Sequence, residues 1–286
     1  MGANLRVIRR KIKTVGNIWQ ITRAMQMVAA SRLKRIQPRV EASREYLRRL
    51  SEITTDVAAR VPADLHPYLQ ERPVASVGLL LVAGDRGLAG SHNASILRVA
   101  EQYMAAAEAP VTLLTVGARA TDFARRRGWT DVLGVPAPGT GDSQDALQAA
   151  RTARALFDSG HIDRLDIIYT EFISPLRRPA RLQQLLPIVA GETAHGNGGE
   201  YLFDPPAEEL LAGLLPRTVE AQIINMLLQS AAAEHAARMT AMAAATDNAA
   251  ELRETLVRDL NRARQAGITT ELLEVVSGAD ALSQGE

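Results

Sequence analysis

The sequence predicts a mixed α+β and α/β protein, in which a long antiparallel coiled coil of N- and C-terminal helices carries an inserted Rossmann-like α/β domain. Three observations lead to this fold class. Apolar residues recur at heptad spacing through the first 60 residues, an alanine-rich stretch without proline follows Pro216, and strand-like and helix-like segments alternate between the two. The 286 residues suffice for roughly two domains, and aromatic residues, at 4%, are too few for the bulky core of an all-β sandwich.

The N-terminal segment, residues 1–60, is predicted to form one long helix. Sixteen positions spaced alternately by three and four residues run from Leu5 to Val57, and twelve of them are apolar. This spacing is the a and d pattern of a coiled coil. Asn4 is a suitable N-cap residue, and Pro38 lies inside the pattern, where we expect a kink. A helix of this length cannot bury its apolar stripe against one compact domain, so it requires a partner helix.

The C-terminal segment, residues 207–286, is the predicted partner. Eleven of the twenty residues 231–250 are alanine, which forms helices well and allows a second helix to approach closely. Pro216 suits a first helical turn, Gly267 is expected to interrupt the helix, and Gly278 is expected to end it. The apolar face is predicted to continue through Leu252, Leu256, Leu260, Ala263, Leu272, Val275 and Ala279.

The charges of the two terminal segments differ in sign. Residues 1–40 contain ten Lys and Arg residues and no acidic residue, whereas residues 217–286 contain six Arg and ten acidic residues. Opposite charges favour the antiparallel pairing. The basic segment also suggests an anionic partner, which charge alone leaves open among nucleic acid, a membrane surface and an acidic protein face.

The central segment, residues 74–200, is predicted to be a small, mostly parallel α/β domain. Pro62, Pro67 and Pro73 mark the linker that precedes it. Strands are predicted over residues 76–82, 111–116, 165–169 and 182–189, and helices over 93–107, 118–127 and 143–157. Strands that alternate with helices are typical of parallel sheets.

The loop of residues 84–90 follows a strand and precedes a helix, which is where phosphate-binding loops lie. Its glycines, Gly84, Gly87 and Gly90, have a spacing that matches neither the dinucleotide fingerprint nor the P-loop, and no Lys follows them. We therefore favour a tight turn, and keep a nucleotide-binding α/β enzyme as the alternative.

No catalytic, cofactor or metal site is predicted. The chain has no cysteine, its five histidines are not at helical ligand spacing, and no Gly-x-Ser-x-Gly elbow occurs. Glu234 and His235 are expected to be polar groups on a helix surface. Nucleic acid is disfavoured because aromatic residues that could stack on bases are nearly absent from the basic helix. No apolar run approaches the ~18 residues of a membrane span, and no apolar signal core begins the chain.

Three stretches together resemble the gamma subunit, the central rotor shaft, of F-type ATP synthases. The first extends from Leu5 to Leu33, the second is residues 85–90 with Asn93, and the third comprises residues 234–239, 243–248 and 263–269. They occur in the family's order along the whole chain. The sequence departs from the family pattern at Trp19, Pro38, Ala89, Gly267 and in the run Gly90-Ser91-His92.

The resemblance implies a non-catalytic shaft, without cofactor, present once per complex on the cytoplasmic face of the bacterial cell membrane. Its partners would be the alpha3-beta3 hexamer, the epsilon subunit and the c-ring, with no nucleic acid and no small-molecule substrate. The contacts to the beta subunit implied in this way are Arg264, Gln265, Thr269, Arg9, Arg32 and Arg35. The residues of the turn at the foot are Asp85, Arg86, Gly87 and Gly90. A static coiled-coil scaffold remains the second alternative.

Overall fold

A computed structural model describes residues 2–58, 60–62, 66–70, 72–129, 132–135, 143–188 and 204–283. The helices are α1 (Gly2–Ala58), α2 (His92–Ala106), α3 (Ala118–Arg126), α4 (Ser143–Asp158) and α5 (Ala207–Ser283). The strands are β1 (Val77–Val82), β2 (Val111–Val116), β3 (Val132–Val135), β4 (Arg164–Thr170) and β5 (Ala180–Leu186). The chain divides into two compact units, residues 1–28 with 241–286, and residues 29–240.

The sheet in the unit of residues 29–240 has the strand order β3-β2-β1-β4-β5. The first four strands are parallel, with Val77 aligned to Val111 of β2 and to Arg164 of β4, and β5 runs antiparallel to β4. All six residues of the central strand β1 are buried. These observations confirm the predicted mostly parallel, Rossmann-like sheet.

Each face of the sheet is covered by helices, because successive residues of a strand point to opposite faces. Leu80 and Val82 of β1 join a cluster with alanines of α4 and with apolar residues of α5 such as Leu215. Leu79 and Leu81 join a second cluster, formed with α2 and α3. The sheet is thus buried on both sides, as parallel sheets are.

Within the unit of residues 29–240, α1 and α5 pair in antiparallel directions. Leu33, Ile36 and Val40 of α1 pack with Ala232, Ala233 and Ala236 of α5. Farther along α1, the Asn225 amide donates a hydrogen bond to the Ser43 hydroxyl at 3.0 Å, and the hydroxyl oxygens of Thr54 and Thr218 lie 3.0 Å apart. Residue numbers rise along α1 as they fall along α5.

The unit of residues 1–28 and 241–286 contains a second stretch of the same pairing. There the Thr246 hydroxyl donates to the Thr22 hydroxyl at 2.8 Å, and both residues are buried. All sixteen positions of the predicted α1 seam, in the two units taken together, are buried or partly buried. The structure therefore confirms the heptad pattern.

Several expectations about the helix ends and faces are wrong. Helix α1 begins at Gly2, so Asn4 lies within the helix and is not its N-cap. Helix α5 begins at Ala207, contains Pro216, and continues through Gly267 and Gly278 to Ser283. The burial of apolar residues on both sides of Pro216 offsets the hydrogen bond that proline cannot donate. The strand β3 was not predicted. Helix α1 is continuous through Pro38, and the kink expected there stays a prediction.

Three of the six described residues of the predicted apolar face at the end of α5 are exposed. Leu252 is 50% exposed, Leu272 60% and Val275 69%, while Leu256, Leu260 and Ala263 are partly buried. The side chain of Ala279 lies outside the described residues. The heptad pattern identifies an apolar stripe, but it does not require that the stripe be covered by the same chain.

We expect Gly117→Ala to destabilise the chain strongly. Gly117 directly follows β2 and has a φ of +94°, and a Cβ there would lie 2.1 Å from the carbonyl oxygen of Ala83. We expect a loss of about 3 kcal/mol or more in the free energy of unfolding, measured in urea on the full chain.

Gly128→Ala is the matched control, because Gly128 has a φ of +72° and open space around its would-be Cβ. It should cost only about 1–2 kcal/mol, the usual penalty of a left-handed backbone. Equal losses from the two variants would contradict a steric role of the contact between Gly117 and Ala83.

Candidate functional site

The loop of residues 84–90 is held in a fixed conformation by its own neighbours. The Asn93 side chain accepts a hydrogen bond from the Gly84 N–H at 3.0 Å and donates one to the Arg86 carbonyl at 3.3 Å. Asp85 Oδ1 accepts from the N–H of Ala118, the first residue of α3, at 2.9 Å. Asp85 therefore satisfies a free N–H at a helix N-terminus.

Arg238 of α5 docks this loop onto the helix. Its Nη2 and Nε lie 3.3 and 3.4 Å from the Gly87 carbonyl oxygen, and Nη2 lies 3.5 Å from that of Arg86. The same guanidinium forms an ion pair with Glu234, one turn earlier, and only 10% and 16% of the two side chains are exposed. The loop thus contributes carbonyl oxygens to a buried cation.

This geometry favours the turn interpretation of the glycine loop. A phosphate-binding loop directs backbone N–H groups at its ligand. Here the N–H of Gly84 is used by Asn93, and the carbonyls of Arg86 and Gly87 face a guanidinium. The nucleotide-binding alternative is not supported by this arrangement.

Two histidines lie beside this docking contact. His235 is 4% exposed and its Nδ1 is 3.4 Å from Arg238 Nη1, so the expectation that Glu234 and His235 lie on the helix surface is wrong. His92, the first residue of α2, is 8% exposed. Burial, as the largest cause, and the charges of Arg178, Arg238 and His235 together lower the pKa of His92 to about 4.

A cavity of about 290 Å³ opens beside these residues. Val82, Ala83 and Val116 line it from the carboxyl ends of β1 and β2, and α5 closes it with Ser230 and its neighbours. Its charged and titratable lining residues are Arg32, Asp85, Arg86, His92, Glu234, His235 and Arg238. Among the described residues, no group of three or more His, Asp or Glu side chains could hold a metal ion.

The residues implied as beta-subunit contacts are mostly at the surface. Arg264, Gln265 and Thr269 are exposed on α5, where the Thr269 hydroxyl donates to the Gln265 carbonyl at 3.0 Å. On α1, Arg9 and Arg35 are exposed, and the partly buried Arg32 lines the cavity. None of these four arginines forms an ion pair with a described residue, so their charges remain available. Their role as contacts stays a prediction.

Some features of the site were missed by sequence reasoning. The docking of Arg238 on the loop joins residues about 150 positions apart, and only the Glu234–Arg238 spacing of four hinted at an ion pair. Large apolar residues are also exposed on both long helices. They include Ile18, Ile21, Met27 and Val28 of α1, and Ile268, Leu272, Leu273, Val275 and Val276 of α5.

The low pKa of His92 makes stability depend on pH. The folded state keeps His92 neutral until about pH 4, whereas in the unfolded chain the imidazole has its ordinary pKa of 6.5. The contribution of His92 to the free energy of unfolding should be constant above pH 6.5. It should fall by about 3 kcal/mol as the pH drops to 4. Urea unfolding of the full chain between pH 7 and pH 4 measures the slope of the free energy of unfolding against pH.

His92→Gln should reduce the slope, because glutamine does not titrate. The exposed His161 offers the control, and His161→Gln should leave the slope as in the parent chain. A slope unchanged in His92→Gln would contradict the assignment.

Comparisons with known proteins give the family. The family model described as ATP synthase matches residues 4–282. The ATP synthase gamma chain of Desulfitobacterium hafniense is 44% identical over 98% of this chain and 99% of its own length. That of Moorella thermoacetica is 39% identical over 98% of this chain and 99% of its own length.

Solved structures show the same fold. A rotor structure of the Euglena gracilis mitochondrial ATP synthase has a TM-score of 0.68 at 18% identity, over 94% of this chain and 100% of that chain. A central stalk and c-ring structure from Tetrahymena thermophila has a TM-score of 0.57 at 25% identity, over 79% of this chain and 99% of that chain. Within the described residues of this chain, no helix is both long and apolar enough to span a membrane. Since the family model and the close relatives each cover nearly the whole chain, the chain belongs to the ATP synthase gamma chain family.

Proposed function

We propose that this chain is the central-stalk rotor subunit of a rotary F-type ATP synthase. It couples transmembrane ion flow to ATP synthesis or hydrolysis at sites of the alpha and beta subunits, and it has no active site of its own. The observation that carries the proposal is the antiparallel pairing of two helices of 57 and 77 residues, in a chain of this family, with large apolar side chains left exposed on both. Long paired helices resist bending, as a shaft that transmits torque must.

The proposed partners are one alpha3-beta3 hexamer, the epsilon subunit and the c-ring, for each copy of the chain. The solved relatives belong to a rotor, a central stalk with its c-ring, and an OSCP/F1/c-ring assembly, which supports such partners. Arg264, Gln265 and Thr269 are proposed to contact a beta-subunit loop. Arg9, Arg32 and Arg35 are proposed to face acidic loops of the beta subunits.

The segments 1–60, 74–200 and 207–286 are kept as the domains of this proposal, with the central domain at the foot of the shaft. Among the foot residues, Asp85 and Gly87 have structural roles in the loop, whereas the Arg86 side chain is exposed and suited to a partner. The complex would lie peripherally on the cytoplasmic face of the bacterial cell membrane.

Reconstitution of the full chain with alpha and beta subunits tests this proposal. We expect a complex with one copy of the chain, in which ATP hydrolysis drives its rotation. Exposed ion pairs contribute ~0–1 kcal/mol each, so Arg9→Gln, Arg32→Gln and Arg35→Gln should each have little effect. Combined, they should lower assembly and coupling in a graded, salt-sensitive way.

The matched control combines Arg48→Gln, Arg49→Gln and Arg258→Gln. These arginines also lie on the long helices and are exposed, but each is paired with a glutamate of its own helix. The control should assemble and rotate as the parent chain does. Failure of the parent chain to assemble, or complete loss of rotation from Arg9→Gln alone in an assembled complex, would contradict the proposal.

Two glycine variants separate the turn from a nucleotide site. A Cβ on Gly84 would lie 2.7 Å from the carboxyl carbon of Glu234, so Gly84→Ala should disturb the docking and cost about 1–3 kcal/mol of unfolding free energy. The atom nearest to a Cβ added on Gly87 is Arg119 Nη2, at 3.3 Å. This atom is at the end of a flexible side chain, which can move away. Gly87→Ala should therefore be nearly neutral in thermal unfolding.

Calorimetric titration of the isolated full chain with ATP accompanies these measurements. We expect no saturable ATP binding at millimolar nucleotide, with or without the Gly87→Ala change. A micromolar dissociation constant that Gly87→Ala removes would instead support the nucleotide-binding enzyme.

A further inference from the structure

The chain that follows β4 reaches into the seam between the two long helices. Phe172, two residues after the end of β4, is 4% exposed. It belongs to the apolar cluster of that seam, whose other buried members are Leu33, Ile36, Val40, Ala232, Ala233 and Ala236. A side chain of the inserted domain is therefore part of the packing between α1 and α5.

The backbone of Phe172 is held by both helices. Its N–H donates a hydrogen bond to Gln229 Oε1 of α5 at 3.3 Å, and its carbonyl oxygen accepts one from Arg44 Nη2 of α1. Arg44 Nη2 also donates to Gln229 Oε1 at 3.3 Å, so the side chains of the two helices contact each other as well. A single residue beyond the sheet thus has hydrogen bonds to α1 and to α5.

Further hydrogen bonds hold these groups in place. Gln229 Nε2 donates to Asn225 Oδ1 at 2.5 Å, and Asn225 Nδ2 donates to the Ser43 hydroxyl of α1 at 3.0 Å. The N–H of Thr170, the last residue of β4, donates to the Ser230 hydroxyl at 3.0 Å. The three α5 residues of this network are buried. Breaking its hydrogen bonds would leave buried polar groups unsatisfied, which is costly.

Directional contacts attach the sheet to the helices at the ends of two neighbouring strands. At the end of β1, Arg238 fixes the loop of residues 84–90. At the end of the adjacent strand β4, Arg44 and Gln229 fix Phe172. The apolar contacts between sheet and helices are non-directional, whereas hydrogen bonds require defined distances and angles. A second attachment point prevents the turning of the sheet that a single point would allow.

We propose that Arg44 and Gln229 form a clamp on the backbone of Phe172, and that this clamp transmits torque between the two long helices and the inserted domain. The inference rests on the proposed rotor function, in which the helices and the foot must turn together. Arg44 and Gln229 are positioning residues, because they keep the sheet at a fixed angle to the helices when opposing forces act on the two. Without such forces the apolar clusters suffice to hold the domain in place.

The complete ATP synthase complex, reconstituted in vesicles with Arg44→Gln, tests the clamp. Arg44 is exposed, so the variant should fold. Loss of a hydrogen bond from a charged donor should open the clamp about tenfold more often. We therefore expect ATP hydrolysis without an ion gradient to equal that of the parent complex, and ion pumping against a gradient to fall severalfold. Arg48, one turn further along α1, is also exposed but pairs with Glu45 and Glu52 of its own helix, so Arg48→Gln is the matched control and should pump as the parent does.

The angular fluctuations of the inserted domain give a second measurement. The chain has no cysteine, so Ala105→Cys at an exposed position of α2 provides one attachment point for a rotation probe. With hydrolysis halted in the assembled complex, the fluctuations should be wider with Arg44→Gln than with Arg48→Gln or in the parent. Gln229→Met should widen them too, and Arg44→Lys, which keeps a charged donor, should restore most of the stiffness.

The outcomes distinguish the clamp from the rotor function itself. A parent complex that does not assemble or pump would overturn the proposed function and the clamp with it. If the parent pumps normally, equal fluctuations with Arg44→Gln and Arg48→Gln would overturn the clamp alone. The clamp would also be overturned if Arg44→Gln lowered hydrolysis without a gradient as much as it lowered pumping.

Discussion

The contact between Arg238 and the loop of residues 84–90 is the constraint on which the inserted domain depends. A buried ion pair such as Glu234–Arg238 stabilises a fold only when further hydrogen bonds compensate for the loss of water. The carbonyls of Arg86 and Gly87 supply that compensation, and they belong to the loop that leaves the central strand β1. The ion pair therefore fixes the sheet to α5 at one point. Because a guanidinium has five donors in one plane, it can hold the loop and the glutamate together.

Alanine makes the close approach between α1 and α5 possible. Ala232, Ala233 and Ala236 are buried beneath larger side chains of α1. The small side chains of α5 leave room for the larger apolar side chains of α1. A seam of small residues contains little to fix its register. Polar pairs have that role, since the Thr54–Thr218 and Ser43–Asn225 hydrogen bonds would be broken by a shift of either helix.

The helices and strands that have a local apolar period were predicted correctly from the sequence. The burial of side chains that depends on contacts between distant residues was not. The seam of α1 and the strands β1, β2 and β4 were recognisable from apolar spacing within one segment. The strand β3 has only four residues, with Gly134 among them, too few to show a period. His235 was predicted to lie on the surface because nothing in an alanine-rich helix shows which of its residues the rest of the chain buries. The exposure of Leu272 and Val275 could not be foreseen either, since a heptad pattern does not say which molecule buries it.

The exposed residues of the two helices differ in what they can contribute to the proposed assembly. Burying a side chain such as Leu272 or Leu273 contributes about 1.5–3 kcal/mol, whereas an exposed ion pair contributes ~0–1 kcal/mol. Apolar contacts should therefore dominate the affinity of the shaft for its partners. Charges act over a longer range and are weakened by salt, so Arg9 and Arg35 are suited to guiding orientation and the rate of encounter. This separation of roles between apolar contacts and charges suits a rotor that must turn within its partners. Apolar contacts are non-directional, so they do not fix the rotor at one angle as hydrogen bonds would.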